Sequence, residues 1–500
     1  MIGKYRLLVR NQAAGEGSLV LRPKKFDKKT EQCYNEAMKR RMEHLELKRD
    51  IYDELLKWKL RNSGKVLELK GARQTGKTYI LDKFAKENYD MYIYINMTHT
   101  SGEEFLACLD KVTRWEPGQP RPEHPLHQAF RLFDARFRDI QTTVVIIDEI
   151  QESARVYSLI RQFAREFQCH FIVTGSYLGK TIEKGYFLPA GDTEELRMDT
   201  LSFPEFLGAV GKRELYEKID LYGAGLHEQY DELKALYDVY CEIGGYPAVI
   251  NNYLETNDTE ECGKTIYQVI RIFIEESTRY FNNILNMNLF EQLFPAIAQL
   301  SVREKKGSGD MVSELSDLIY KEESNRATKQ SVNNAVAWLY RSDIIGFCGK
   351  AVECSSTDTR PNMRFYFRDL GVARYFLKKG GIKGAAAEGY INENFVYIDL
   401  LKRTFSMEIA GMTPLFGTYK NGEIDFFVSS LHNEKDYGVE VKAGKSEGKT
   451  AQLLLQDGKV EAVYFLKGGT YGGQSGRMIT IPIYLAGRVS FDFVRASKSV

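Results

Sequence analysis

Short apolar runs alternate with stretches of helical periodicity over the first 200 residues. The runs Val66–Lys70, Met91–Asn96, Val144–Glu149 and Phe171–Ser176 each have the length of a strand, and most are rich in β-branched or aromatic residues. Helical patterns separate these runs. Alternation of this kind predicts parallel βαβ units and therefore an α/β fold in this part of the chain.

The pattern changes twice further along. Beyond Ser202 it is mostly helical to about residue 300, and the polar stretch 305–310 is typical of a linker. Residues 312–345 predict a helix, a polar turn and a second helix, which fits a helix-turn-helix or winged-helix unit. From Glu388 the pattern predicts a helix to about Arg403 and then mixed elements: strands near 405–409, 415–420, 423–430 and 436–443, a helix near 447–457, and strands near 461–467 and 479–485.

The most specific motif is GARQTGKT, directly after the first predicted strand and at the start of a helix. Glycines at these positions let backbone N–H groups wrap around phosphates, and the helix N-terminus adds a favourable dipole. Lys77 would supply positive charge to the β- and γ-phosphates, and the Thr78 hydroxyl would ligate Mg²⁺. The predicted ATP-binding residues of this loop are Gly71, Ala72, Arg73, Gln74, Thr75, Gly76, Lys77 and Thr78.

Polar residues at the ends of two later strands extend this predicted site. Asp148 would hold Mg²⁺, and Glu149 would act as the general base on the attacking water. Ser176 lies where a side chain at the carboxyl edge of a parallel sheet can face the γ-phosphate, and the alternative is an ordinary turn residue. The sequence does not choose a further phosphate contact among Gln151, Arg155, Arg161 and Arg165.

Several segments together resemble the bacterial AAA-type P-loop ATPases that carry a C-terminal domain of unknown function with a nuclease-like core. The segments are GARQTGKT, IIDEIQES, TGSYLG, LRMDTLSFPEFL and GGYP, and the likeness covers about residues 45–485. The resemblance implies ATP hydrolysis with Mg²⁺, and it places Gly245 and Pro247 of a helical lid near the adenine. It also implies possible assembly of identical subunits, because such ATPases often use a neighbour's arginine.

The expected fold class is an α/β P-loop NTPase of AAA type with a parallel sheet and further C-terminal parts. The predicted divisions are an irregular or helical extension at 1–44, an ATPase core at 45–201, a helical lid at 202–300, a helix-turn-helix or winged-helix connector at 301–385 and a restriction-endonuclease-like α/β domain at 386–490.

The last of these parts has the element order of the PD-(D/E)-x-K nuclease fold. Glu440 and Lys442 are two residues apart on a predicted strand, so both side chains point to one face. Asp425 on the neighbouring strand would meet Glu440 across one Mg²⁺, and Lys442 would orient or activate a water. Glu393 is a candidate fourth carboxylate.

Charge leaves the role of this C-terminal group open. The chain has 69 basic and 68 acidic residues, and from Glu388 to Val500 each sign occurs thirteen times. Neither the chain nor this segment has the basic excess that grips nucleic-acid phosphates. Two hypotheses therefore stand: ATP-dependent processing of DNA by cleavage, or a nucleotide-switched module that binds a protein or DNA without cutting.

The cysteines and hydropathy indicate the compartment. Seven scattered cysteines include no C-x-x-C pair, which favours a reducing environment. We find no apolar run long enough for a membrane helix and no signal-peptide core, so the prediction is a cytoplasmic protein that does not engage a membrane.

Overall fold

The computed structural model describes most of the chain from residue 46 onward. The described ranges are 46–114, 123–175, 191–280, 289–303, 314–315, 317–318, 329–357, 363–442, 448–469 and 471–492. The predicted extension at 1–44, Ser176 and most of the first helix of the predicted helix-turn-helix lie outside them. Every element below belongs to one compact unit that begins at Leu47.

The first sheet is fully parallel, with the strand order β2-β3-β4-β1-β5. Its strands are β1 (Val66–Lys70), β2 (Met91–Asn96), β3 (Thr143–Asp148), β4 (His170–Thr174) and β5 (Thr193–Arg197). The parallel α/β architecture expected from the apolar runs is confirmed. The sequence pattern missed β5, because this edge strand is polar and only partly buried.

Helices cover both faces of this sheet. They are α1 (Ile51–Arg61), α2 (Lys77–Asn88), α3 (Thr100–Thr113), α4 (Pro125–Phe133), α5 (Ala154–Tyr157) and α6 (Ile160–Glu166), with a 3-10 turn at Ile150–Glu152. The wholly buried β3 sends Val145 and Ile147 into one core and Val144 and Ile146 into the other. Burial on both faces explains why β3 reads as a continuous apolar run.

A second group of helices follows the sheet: α7 (Phe203–Ala209), α8 (Arg213–Lys218), α9 (His227–Ile243), α10 (Pro247–Thr256), α11 (Thr259–Tyr280), α12 (Leu289–Arg303) and α13 (Lys329–Arg341). Ser202 begins α7 with a capping box, since its side chain accepts from the Glu205 amide while the Glu205 carboxylate accepts from the Ser202 amide. Among the described helices, none combines the length and apolar character needed to cross a bilayer.

The second sheet is mixed, with the order β13-β14-β12-β11-β10-β9-β6-β7, and β8 pairs with β6 outside this path. Its strands are β6 (Ile345–Val352), β7 (Ser356–Thr357), β8 (Arg364–Phe367), β9 (Leu415–Tyr419), β10 (Gly422–Ser429), β11 (Asp436–Lys442), β12 (Ala462–Lys467), β13 (Gly473–Ser475) and β14 (Met478–Pro482). Its helices are α14 (Leu370–Lys379), α15 (Ala385–Phe405) and α16 (Lys449–Gln456), followed by a 3-10 helix at Ile483–Arg488.

Strand β6 connects the predicted connector to the C-terminal strands. One part of β6 pairs with β8 in antiparallel fashion, and Gly349–Ala351 pairs with β9 in parallel. The two predicted segments 301–385 and 386–490 therefore share a sheet. The domain boundaries themselves stay a prediction.

The strand predicted near 405–409 is wrong, and the strand predicted near 479–485 is shorter than expected. Helix α15 continues through Phe405, and the segment near 405–409 contributes one isolated bridge between Ile409 and Ser430. The strand predicted near 479–485 ends at Pro482, because proline has no N–H to continue a ladder, and a 3-10 helix follows.

Candidate nucleotide-binding site

The loop between β1 and α2 has the backbone shape that its glycines allow. Gly76 has φ +95° and Gly71 has φ +150°, while Gln74 adopts the left-handed region with φ +61°. A Cβ on Gly71 would lie 2.1 Å from the Met198 carbonyl oxygen. Only glycine permits this approach of the loop to the chain that follows β5.

Lys77 is the first residue of α2, and its side chain folds back over the loop. Its Nζ donates to the carbonyl oxygens of Gly71 at 2.8 Å and Ala72 at 2.7 Å. Burial lowers the pKa of Lys77 to about 8, against the raising effect of Glu149 and Asp148. The structure thus brings a buried ammonium group, two carboxylates and the loop together.

Asp148 sits at the end of β3 and is held by three donors. The Thr78 hydroxyl donates to Oδ2 at 2.9 Å, the Tyr94 hydroxyl donates to the same atom at 2.6 Å, and the Glu149 amide donates to Oδ1 at 2.8 Å. A hydroxyl and a carboxylate in contact are the hard oxygen donors that Mg²⁺ prefers, so these residues fit that ion. Tyr94 was not predicted, because a tyrosine on a strand matches no motif.

Glu149 follows β3 in an unusual backbone conformation. Its φ is +50°, a left-handed value that costs a non-glycine residue roughly 1–2 kcal/mol. The Gln151 side-chain amide donates to Glu149 Oε2 at 2.5 Å. Gln151, one of the four candidates for a further contact, is therefore joined to the predicted base.

The three arginine candidates are paired with other acids. Arg155 forms an ion pair with Asp110 at 2.6 Å, and Arg161 and Arg165 bind Asp192 at 3.1 and 3.0 Å. Ion pairs of this kind are typical of a charged helix face. The structure gives these arginines partners away from the loop glycines.

The GGYP segment lies against the same loop. Pro247 begins α10, and its Cγ is 3.9 Å from where a Cβ on Gly76 would stand. Gly245 is held through its backbone, since its amide donates to Asp369 Oδ2 at 2.8 Å and its carbonyl accepts from the Leu201 amide at 2.8 Å. Their predicted position beside a nucleotide stays a prediction.

Arg49 is a further residue of the site that no motif revealed. It is 9% exposed, and its guanidinium donates to the Thr75 carbonyl at 2.9 Å, to Glu205 Oε1 at 3.0 Å and to the Asp199 carbonyl at 2.6 Å. It therefore joins the phosphate-binding loop to the start of α7.

The C-terminal residues predicted on β10 and β11 are also brought together. Asp425 Oδ2 accepts from the Val441 amide at 2.7 Å, and Lys442 Nζ lies 3.0 Å from Glu440 Oε2. Burial and the nearby Asp425 raise the pKa of Glu440 well above its ordinary value, although Lys442 opposes this. Burial acts to lower the pKa of Lys442, but Asp425, Glu440 and also Glu393 raise it.

Residues outside the predicted set adjoin this group. Arg364 on β8 donates to Glu423 Oε2 at 2.9 Å and lies 4.0 Å from the centre of the Phe416 ring, while the Tyr366 hydroxyl is 3.4 Å from Glu393 Oε2. Within the described ranges, no three acidic, histidine or cysteine side chains are placed to hold a metal ion together.

Two family models match the chain. An AAA domain model matches residues 63–207, and a model for a domain of unknown function (DUF8612) matches residues 234–382. No curated protein matches. The AAA match includes the loop, Asp148 and Glu149, whereas the second match includes Gly245 and Pro247.

Solved structures give weaker likenesses. A Walker-type ATPase of Pyrococcus abyssi is 14% identical, with 66% of this chain and 96% of that chain covered and a TM-score of 0.42. The Aeropyrum pernix ORC1 protein in complex with DNA is 14% identical over 63% of this chain and 86% of its own, with a TM-score of 0.28. The Thermotoga maritima RuvB branch-migration motor is 13% identical over 60% and 89%, with a TM-score of 0.29.

TM-scores below 0.5 support no conclusion about this chain. The family models and the parallel five-stranded sheet do support one. The chain carries an AAA-type P-loop ATPase domain of α/β fold, and a domain of unknown function follows it.

Proposed function

We propose that this chain binds ATP with Mg²⁺ and hydrolyses it at the loop between β1 and α2. The observation that carries the proposal is the convergence of Lys77, Thr78, Asp148 and Glu149 on one loop. Backbone N–H groups of residues 71–78 would bind the phosphates, and Lys77 would hold the β- and γ-phosphate oxygens.

The chain's own residues would divide the chemistry between binding and proton transfer. Thr78 and Asp148 would hold Mg²⁺, which when bound supplies positive charge to the phosphate oxygens. The Glu149 carboxylate would accept the proton of the attacking water, and Gln151 would orient that carboxylate. Ser176 would sense the γ-phosphate, and Gly245 and Pro247 would line the nucleotide side.

The test is steady-state ATP hydrolysis combined with direct nucleotide binding. Lys77→Ala should lose binding or turnover, whereas Glu149→Gln should bind ATP and hydrolyse it about 10²-fold more slowly or worse. Lys86→Ala is the matched control, because it removes an exposed lysine of the same helix that pairs with Asp82. An unchanged rate in Lys77→Ala would contradict the assignment.

For the C-terminal sheet we propose a nuclease-like group that acts on or binds DNA under control of the ATP site. Support comes from the placement of Asp425, Glu440 and Lys442 on adjacent strands, with Glu393 in the electrostatic field of Lys442. A binding module without cleavage is the alternative. It is favoured by the ion pairs that already engage Lys442 and Arg364.

Labelled single- and double-stranded DNA, incubated with and without ATP and Mg²⁺, distinguishes these two functions. Cleavage requires Mg²⁺-dependent nicking that Glu440→Ala and Lys442→Ala abolish. Lys467→Ala is the matched control, since Lys467 stands beside Lys442 on the neighbouring strand β12. Retention of DNA by all variants without nicking would support the binding module.

Compartment and assembly are proposed on separate grounds. All six cysteines in the described ranges are free thiols, which supports the reducing environment of the cytoplasm. Assembly of identical subunits follows only from the AAA resemblance. Sedimentation with and without ATP would test it.

A further inference from the structure

Two separate chains of contact lead away from the phosphate-binding loop. The first begins at the Thr75 carbonyl, which accepts a hydrogen bond from the buried Arg49. Arg49 also donates to the Asp199 carbonyl, and the Asp199 carboxylate accepts from the guanidinium of Arg368 at 2.5 Å. Thr75 of the loop is thus connected to Arg368 through Arg49 and Asp199.

The second chain of contact begins at Gly76, on which a Cβ would lie 3.9 Å from Pro247 Cγ. Two residues earlier, the amide of Gly245 donates to Asp369 Oδ2 at 2.8 Å. Asp369 also accepts from the Val372 amide at 3.1 Å, which makes it the N-cap of α14. The GGYP segment is therefore fastened to the start of α14 by one carboxylate.

Both chains of contact end at adjacent residues, Arg368 and Asp369, directly after β8. Arg368 also donates to Asp343 Oδ1 at 3.2 Å, and Arg197 of β5 binds the same carboxylate. Arg368 and Asp369 are 8% and 4% exposed. They lie outside the AAA match and inside the match to the domain of unknown function.

The residues around Asp369 are closely packed. A Cβ on Gly244 would lie 2.3 Å from Asp369 Oδ1, and a Cβ on Gly371 would lie 2.4 Å from the Ile243 carbonyl oxygen. Close-packed interfaces of this kind transmit a displacement instead of absorbing it. A shift of the GGYP segment must therefore move the start of α14 or break its hydrogen bonds.

We propose that Arg368 and Asp369 are positioning residues of the nucleotide site, and that they couple nucleotide binding to the β6–β8 strands of the C-terminal sheet. This inference rests on the proposed ATPase activity. The coupling must be reciprocal. The free energy by which bound ATP favours one conformation of β8 equals the free energy by which that conformation strengthens ATP binding.

The first test compares two arginines that are equally buried. Arg368→Lys keeps the charge but loses the forked contact to two acids, and we expect the KM for ATP to rise about fivefold or more while kcat changes less than twofold. Arg403→Lys is the matched control. Arg403 is also 8% exposed, but it binds Asp399 and the carbonyl oxygens that follow β14.

The split between KM and kcat separates positioning from a folding defect. A variant that merely unfolds in part lowers the active fraction, so kcat falls and KM stays the same. An unchanged KM in Arg368→Lys, or an equal rise in Arg403→Lys, would overturn the inference. A wild-type chain that neither binds nor hydrolyses ATP would overturn the proposed function and this inference with it.

A second variant and a structural readout test the coupling directly. Asp369→Asn retains size but replaces one acceptor oxygen by a donor, which opposes the Gly245 or Val372 amide. In the wild type, ATP should slow hydrogen exchange at Ile345–Cys348 and Arg364–Phe367, and Asp369→Asn should remove that protection. Exchange at these strands that does not respond to ATP in the wild type would refute the coupling.

Discussion

Asp199 is a single carboxylate that several cations stabilise in its charged form. Burial acts to raise its pKa, but Arg368, Lys402 and Arg197 lower it to about 2. A carboxyl whose pKa is depressed on folding contributes stability above its unfolded pKa near 4. That contribution is lost as the pH falls from about 4 towards 2.

Replacing this carboxylate should therefore produce a pH-dependent loss of stability. We expect the free energy of unfolding of Asp199→Asn to lie about 2 kcal/mol further below wild type at pH 6 than at pH 2. Urea denaturation at a series of pH values measures the difference. A gap that is constant with pH would show that the Asp199 charge does not stabilise the fold.

Residues of the candidate site were predictable where they are neighbours in the sequence. The loop 71–78 and the pair Asp148 and Glu149 carry their own signal, because phosphate binding dictates their spacing. Arg49 lies 26 residues before the Thr75 that it contacts, and Asp369 lies 124 residues after its partner Gly245. Each is a lone charged residue without a motif, so only the folded structure identifies them.

At the scale of elements, β8 depends on helix α15 for part of its backbone hydrogen bonding. Asn394, which is fully buried, accepts from the Phe367 amide at 2.9 Å and donates to the Phe367 carbonyl at 2.7 Å. One side chain thus satisfies both polar groups of the last residue of the strand. Buried backbone groups without partners cost stability.

Removing that side chain should weaken the strand measurably. We expect Asn394→Ala to lower the free energy of unfolding by about 2 kcal/mol or more, because two backbone groups lose their partner. Asn334→Ala, at an exposed position of α13, should change it by less than about 0.5 kcal/mol. Chemical denaturation measures both. Equal effects in the two variants would mean that Asn394 does not support β8.

Elements were predictable where burial is uniform along them. Strands β1, β3 and β4 of the first sheet are buried along nearly their whole length, and hydropathy therefore reveals them. Strand β2 is only partly buried, and its aromatic and β-branched residues reveal it instead. Strand β5 is an edge strand of sequence TEELR, in which charged side chains hide the pattern. The helix α15 runs past its predicted end because its last turn is buried at Arg403 and Thr404.

At the scale of the whole molecule, the helices that follow the first sheet share one hydrophobic core with the C-terminal sheet. Tyr237 of α9 and Phe395 of α15 meet edge to face with ring centres 4.9 Å apart. The same core includes Val439 of β11. Segments predicted as separate domains are therefore packed together, and they should unfold cooperatively.

Destabilising one end of this core should loosen the other. We expect Val439→Ala to lower the free energy of unfolding by about 2 kcal/mol. Amides of β11 and α9 that exchange only when the whole protein unfolds should then exchange faster by the same factor. Val145→Ala in the first sheet, whose side chain enters a different core, is the matched control. Faster exchange confined to β11 would show that α9 and the C-terminal sheet unfold independently.

The sequence could not predict this arrangement of parts. Local hydropathy indicates elements, but one of the strands that pair with β6 is β9, which lies more than sixty residues further along the chain. The near-equal numbers of acidic and basic residues likewise do not predict the ion pairs that Arg368 forms. Sheet order and buried ion pairs are properties of contacts between distant segments.

The position of Arg368 and Asp369 also has a consequence for synthesis. Every strand of the first sheet leaves the ribosome long before these two residues do, and domains generally fold as units from the N-terminus. We therefore expect a nascent chain to form its phosphate-binding loop early but to hold ATP poorly until β8 has been made. Unfinished chains would then consume little ATP.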